Sequence, residues 1–136
     1  MKTVGVIGGL GPETTSEFYM ELISLFQNSS VRQRPSILIY SVPITYEQET
    51  DGILYGACRE DTRELLVSAA KTLEKGGADY IVMPCNSLHV FAGDIKRAIH
   101  VPFISIIEVT THFLREQNVR SAGILSTLIT RNNKLY

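Results

Sequence analysis

Short aliphatic and β-branched runs alternate along this chain with longer segments of helical periodicity, and that alternation limits the folds open to it. The runs are Thr3 to Ile7, Ile37 to Tyr40, Tyr80 to Met83, Phe103 to Ile106 and Ala122 to Ser126. Each has the length and residue types of a buried strand. Between them, Phe18, Leu22, Ile23, Leu25 and Phe26 recur at helical spacing from Glu13 to about Gln27. Leu65, Leu66, Ala69, Ala70 and Leu73 do the same over Glu60 to Lys75, where Gly76-Gly77 gives a stop signal. Two more helices are expected over Ser87 to Ile99 and Val109 to Gln117. Strand-helix alternation of this kind implies an α/β fold, a mostly parallel sheet with right-handed crossovers and helices on both faces. Ser41 to Asp51 reads as a loop at the carboxyl end of the second strand, with Thr45, Tyr46, Glu47, Gln48 and Glu49 available either to a ligand or simply to solvent.

A length of 136 residues suits a single domain with a real core. A net charge of -1 without a basic block argues against nucleic acid and against an anionic membrane surface as partners. No apolar run approaches the roughly 18 residues of a membrane span. The start, Met1-Lys2-Thr3-Val4-Gly5, runs into a strand and not into a secretory leader. Cys58 and Cys85 make no disulfide framework, and no Cys/His spacing resembles a zinc site. A reduced, cytoplasmic setting is expected.

The first strand breaks at Gly8-Gly9-Leu10-Gly11-Pro12. A glycine turn between a strand and a helix lets backbone amides face an anion. The alternative is a tight turn that needs glycine for its backbone angles alone. A dinucleotide fingerprint is incomplete: Gly9-Leu10-Gly11 supplies G-x-G, but Thr14 stands at the third glycine position, and Ile37 to Tyr40 leads to no acidic residue.

The densest chemistry lies in Pro84-Cys85-Asn86-Ser87-Leu88-His89. Cys85 and Asn86 fall at the carboxyl end of a strand and the start of a helix, where ligands of open α/β sheets collect. A helix N-terminus there is expected to favour the thiolate. The Asn86 amide and Ser87 hydroxyl suit a carboxylate, leaving the sulfur to face a neighbouring carbon. Covalent or proton-transfer chemistry on a small carboxylic acid follows. His89, four residues on, is either a base within reach of the thiol or a packed histidine. Cys58 reads as a packed or incidental cysteine.

Four ordered motifs then carry a resemblance. Met1 to Thr15, Gly76 to His89, Val101 to Glu108 and Ala122 to Thr127 resemble, in order and spacing, segments of the aspartate/glutamate racemase family, over essentially the whole chain. The resemblance implies one lobe of a two-lobed racemase-like fold. It also implies inversion of an acidic amino acid without pyridoxal phosphate or metal, by two cysteines on opposite faces of the α-carbon. Carried over by position, Cys85 is one acid/base, Asn86 and Ser87 bind the α-carboxylate and amino group, and Gly9, Leu10, Gly11 and Thr127 line the pocket.

The chain departs from the family pattern in three places. The second cysteine's segment is absent, Ile129 replaces a glycine, and Gln48 stands where some aspartate-specific members place arginine. Residues 1–127 are then expected to be a first lobe and 128–136 the start of the interlobe crossover. The expected partners are a small amino-acid or carboxylate substrate and either a second copy of the chain or a second lobe. A non-catalytic carboxylate-binding module and a related cysteine-dependent isomerase are the alternatives.

Overall fold

The computed structural model describes residues 2–30 and 33–136; Met1, with which the opening motif begins, lies outside them. Four strands form one parallel sheet in the order β2-β1-β3-β4: β1 Thr3–Gly8, β2 Ser36–Ser41, β3 Tyr80–Val82 and β4 Phe103–Ile104. Strand β1 is central, in register with β2 from Thr3 opposite Ser36 to Gly8 opposite Ser41, and with β3 from Val4 opposite Tyr80 to Val6 opposite Val82.

Helix α1 spans Pro12–Gln27 and α3 spans Glu60–Lys75. Pro12 opens α1, where a missing N–H costs nothing. Leu66, Ala69, Ala70 and Leu73 of α3 are buried and pack with Ile7, Ile81 and Met83 into the main core. The small residues let this helix lie close: a Cβ on Gly5 would stand 2.8 Å from that of Ala78 and 3.3 Å from that of Leu73. Val4, Val6 and Gly8 point to the opposite face by strand alternation. There Thr15 of α1 sits over Gly8, and Val4 and Val6 are buried, while Ile39 and Ile104 remain 43% and 41% exposed.

Three expectations need correction. Ser41 to Asp51 is not all loop, because Tyr46–Tyr55 forms helix α2. Its start carries a capping box, in which the Thr45 hydroxyl accepts the Gln48 amide and the Gln48 side chain accepts that of Thr45. Its end is Gly56 at φ +69°. The helix expected over Ser87 to Ile99 is two pieces, a 3-10 turn over Ser87–Phe91 and helix α4 over Ala92–Ala98. The fifth strand over Ala122 to Ser126 does not form. Every residue from 115 to 126 is exposed, Leu125 completely so. A strand needs a neighbour to take its backbone groups, and β4 is only two residues long.

Helix α5, Ile106–Glu116, begins three residues earlier than its periodicity suggests, because Ser105 caps it by accepting the Glu108 amide. No residue of α5 is buried. A last helix, α6 (Leu128–Asn132), turns back onto α2, where a Cβ on Gly52 would stand 3.2 Å from Ile129 Cδ1.

Candidate active site

The turn after β1 is held by one side chain. The Thr15 hydroxyl accepts the Gly9 amide at 3.0 Å and donates to the Gly11 carbonyl at 3.0 Å. Gly9 has φ +83°, and a Cβ there would stand 2.9 Å from the Val42 nitrogen. It is glycine for backbone conformation and close approach. The neighbouring Leu10–Gly11 peptide is cis.

After β3 the chain turns sharply, with the Cys85 amide donating to the Met83 carbonyl at 2.8 Å. Cys85 is partly buried against the core and lines a cleft of about 380 Å³. That lies within the usual size of a small-molecule site, roughly 300–1,000 Å³. Leu10 and Gly11 close one end, Gln48, Glu49 and Ile53 of α2 form a wall, and Thr127 and Ile129 bring in α6. Asn86 and Ser87 stand beside the thiol in the same cleft. Of the residues expected here, Gly9 is the exception: it is packed against Ser41 and Val42 and does not line the cleft.

The polar groups are already arranged. Ser87 Oγ and Thr127 Oγ1 are 2.7 Å apart, and Thr130 Oγ1 lies 3.4 Å beyond. The Tyr136 hydroxyl donates to Asn86 Oδ1 at 2.8 Å, which leaves the Asn86 NH₂ as a donor. A small carboxylate can thus meet an amide and a hydroxyl next to the sulfur.

Burial pushes the Cys85 thiol above its ordinary value. The Leu88 and Ser87 amides pull it part of the way back, and the Glu49 carboxylate adds to the rise. This corrects the expected thiolate: a short 3-10 turn supplies two amides, too little to outweigh desolvation and a nearby anion. The resting sulfur is a thiol. His89 is not its base. The ring is buried, with Nδ1 2.7 Å from the Cys85 carbonyl and Nε2 accepting the Ile106 amide at 3.1 Å. Nδ1 therefore carries the proton and donates. Burial keeps the imidazole below its usual value, hence neutral. Cys58 is exposed, outside the cleft, with the Asn133 amide 3.8 Å from its sulfur. Among the described residues no group of three or more ligating side chains gathers to hold a metal.

Sequence reasoning missed Thr14, Ile44, Thr62 and Ile129 as cleft residues. It left Gln48 and Glu49 undecided, although the Thr45-to-Gln48 capping spacing signals the helix that aims them.

The comparisons with known proteins bear on the whole assembly. The sequence pattern of the Asp/Glu/Hydantoin racemase family matches residues 7–136. The chain belongs to the Asp/Glu/hydantoin racemase family. It is 28% identical to the broad specificity amino-acid racemase RacX of Bacillus subtilis, over 98% of this chain and 58% of that protein. Among solved structures, an aspartate racemase of Picrophilus torridus matches all of the chain at 25% identity and TM-score 0.80, covering 57% of its own length. An aspartate racemase homologue from Pyrococcus horikoshii matches 88% of the chain at 28% identity and TM-score 0.71, covering 51% of its own length. The chain thus spans about half the length of these racemase-family relatives. Among the described residues no helix is long and apolar enough to cross a membrane.

Proposed function

We propose that this chain binds the α-carboxylate of a free amino acid in the cleft and exchanges the α-proton through Cys85, the half-reaction of a cofactor-independent racemase. The observation that carries the reading is the placement of the Cys85 thiol in one cleft with the Asn86 amide and the Ser87–Thr127 hydroxyl pair. Leu10 and Gly11 line the same cleft. Family membership supports it, as does the likeness to a named amino-acid racemase.

An amino-acid α-proton is far less acidic than a thiol, so the site has to stabilise charge as it develops on the α-carbon and carboxylate. Fixed donors in a cleft with mostly apolar walls do this without having to reorganise. The Asn86 NH₂ and the two hydroxyls take the carboxylate and hold the α-carbon against the sulfur. As base, Cys85 must first give up its proton; as acid, it is already poised, because burial keeps the thiol protonated.

Inversion needs a second group on the other face of the α-carbon. The cleft, as lined by the described residues, presents one thiol. We assign the second group to a partner: either a second copy of the chain, placing two Cys85 thiols at one substrate, or a second lobe.

The test is deuterium incorporation at the α-carbon in heavy water, followed by proton NMR on both enantiomers of several amino acids, with wild type and Cys85→Ala. Cys85-dependent exchange is expected. Exchange without inversion identifies a one-base half-site, and exchange with inversion shows that the second group is present. No exchange above the Cys85→Ala background for any amino acid would sink the proposal.

A further inference from the structure

We propose that Glu49 selects the substrate's side chain, so that the cleft takes amino acids ending in a cation, of the lysine type, in preference to acidic ones. The proposal rests on the reading of the cleft as an amino-acid site. Among the described side chains that line it, Glu49 is the one carboxylate, and neither lysine nor arginine is present. Arg59, between α2 and α3, does not line the cleft, and its charge is already committed. Its Nη1 lies 3.0 Å from Asp51 Oδ2 and 3.9 Å from Glu47 Oε1, and its Nη2 lies 2.9 Å from Asp61 Oδ2.

Any amino acid brings one carboxylate, and Asn86, Ser87 and Thr127 provide for it. Aspartate or glutamate brings a second. That second anion would share the cleft with Glu49 and meet no cation among this chain's described lining residues, and like charges at short range repel. A long aliphatic stem ending in an ammonium fits instead. Its methylenes can lie along Leu10, Ile44, Ile53 and Ile129, with the charged end at Glu49. Glu49 follows directly on the Thr45–Gln48 capping box, which fixes the backbone at the start of α2, and its exposed side chain lies at the cleft. Discrimination then comes from attraction of one class and repulsion of the other at a single residue.

The experiment is protection of Cys85 from iodoacetamide, followed by mass spectrometry on the peptide that contains Cys85, with wild-type protein and Glu49→Gln. The probes are both enantiomers of lysine, norleucine and aspartate. Lysine is expected to protect at concentrations roughly tenfold below those of aspartate, with norleucine between them. In Glu49→Gln that gap should close, by weaker protection from lysine and stronger protection from aspartate. Protection by aspartate equal to or better than that by lysine in wild type overturns the proposal and leaves the amino-acid site standing. Equal weakening of all three probes by Glu49→Gln also overturns it, because Glu49 would then be holding the common α-ammonium. Protection by no probe overturns the amino-acid site, and the proposal falls with it.

Discussion

His89 and Cys85 are joined through the backbone and not through the sulfur: the imidazole Nδ1–H donates to the Cys85 carbonyl at 2.7 Å. With Nε2 accepting the Ile106 amide, the ring ties the loop after β3 to the first residue of α5. It also packs on Phe103, with ring centroids 5.6 Å apart. His89 positions the thiol's backbone and takes no proton from it.

Replacing His89 should therefore cost stability first. His89→Ala leaves a carbonyl and an amide without their partner and opens a cavity beneath Phe103. The expected loss is about 2–5 kcal/mol, read from urea unfolding midpoints. A loss below about 1 kcal/mol would contradict the bridging role.

The same residue gives stability a pH dependence. Its folded value is depressed by burial, so in the window below 6.5 the unfolded chain protonates this ring while the folded chain does not. The stabilisation is fully present above 6.5 and falls away as pH drops toward the folded value. Urea midpoints measured from pH 8 down to 5 should decline across that window. Fluorinated or other non-titrating replacements of the imidazole that keep the fold should flatten the decline.

Cys85 should be slow to alkylate at neutral pH. Its rate with iodoacetamide should still be rising above pH 9, because the thiol sits above its ordinary value. Glu49→Gln should move the profile toward lower pH, and no inflection should appear near 6.5, where a histidine-activated thiol would show one. A plateau by pH 7 would mean a resting thiolate and would overturn the electrostatics given above.

Two glycines make opposite predictions for one substitution. Gly9→Ala combines φ +83° with backbone 2.9 Å from the new methyl, and should destabilise by about 2–4 kcal/mol. Gly93→Ala lies inside α4, where the nearest contact is the tip of the flexible Arg97 side chain at 3.4 Å. It should stabilise by about 0.5–1 kcal/mol. Thermal unfolding of both variants decides the matter.

Leu125→Ser should leave stability within about 0.5 kcal/mol of wild type. The side chain is fully exposed and no strand forms around it. Were residues 122–126 a core strand, the loss would be several times larger.

The strands that could be read from sequence are those whose neighbours lie within the sheet. Val4-Gly5-Val6-Ile7 and Ala122-Gly123-Ile124-Leu125 have nearly the same pattern of small, glycine and aliphatic residues. The first has β2 and β3 on its two sides and is buried, whereas the second has neither and is exposed. Local pattern states what a segment can pair as, and tertiary partners decide whether it pairs. The cleft divides in the same way. Cys85, Asn86, Ser87, Leu10 and Gly11 were legible as cleft residues because a strand end and a glycine turn mark them, whereas Thr127 was reached only through the family resemblance. Gly9 packs behind the cleft lining, and sequence left its role open because a positive-φ turn and a ligand turn have the same pattern. Helix α2 was hidden by its weak apolar periodicity, and Ile129 because α6 meets α2 only through tertiary packing. The state of the thiol depends on how much water surrounds it, which no spacing records.

Leu10 and Gly11 come from the turn after β1, and Thr127 and Ile129 from the N-cap and first turn of α6. A small molecule lodged between them acts as a clasp across more than a hundred residues of sequence. Release of the ligand and fraying of α6 from α2 are then linked equilibria. Each tenfold rise in free ligand above its dissociation constant tightens the clasp by about 1.4 kcal/mol. Hydrogen exchange at the amides of residues 128–132 would register occupancy without any chemistry taking place, so a variant that binds but does not turn over would still announce its ligand at the far end of the chain.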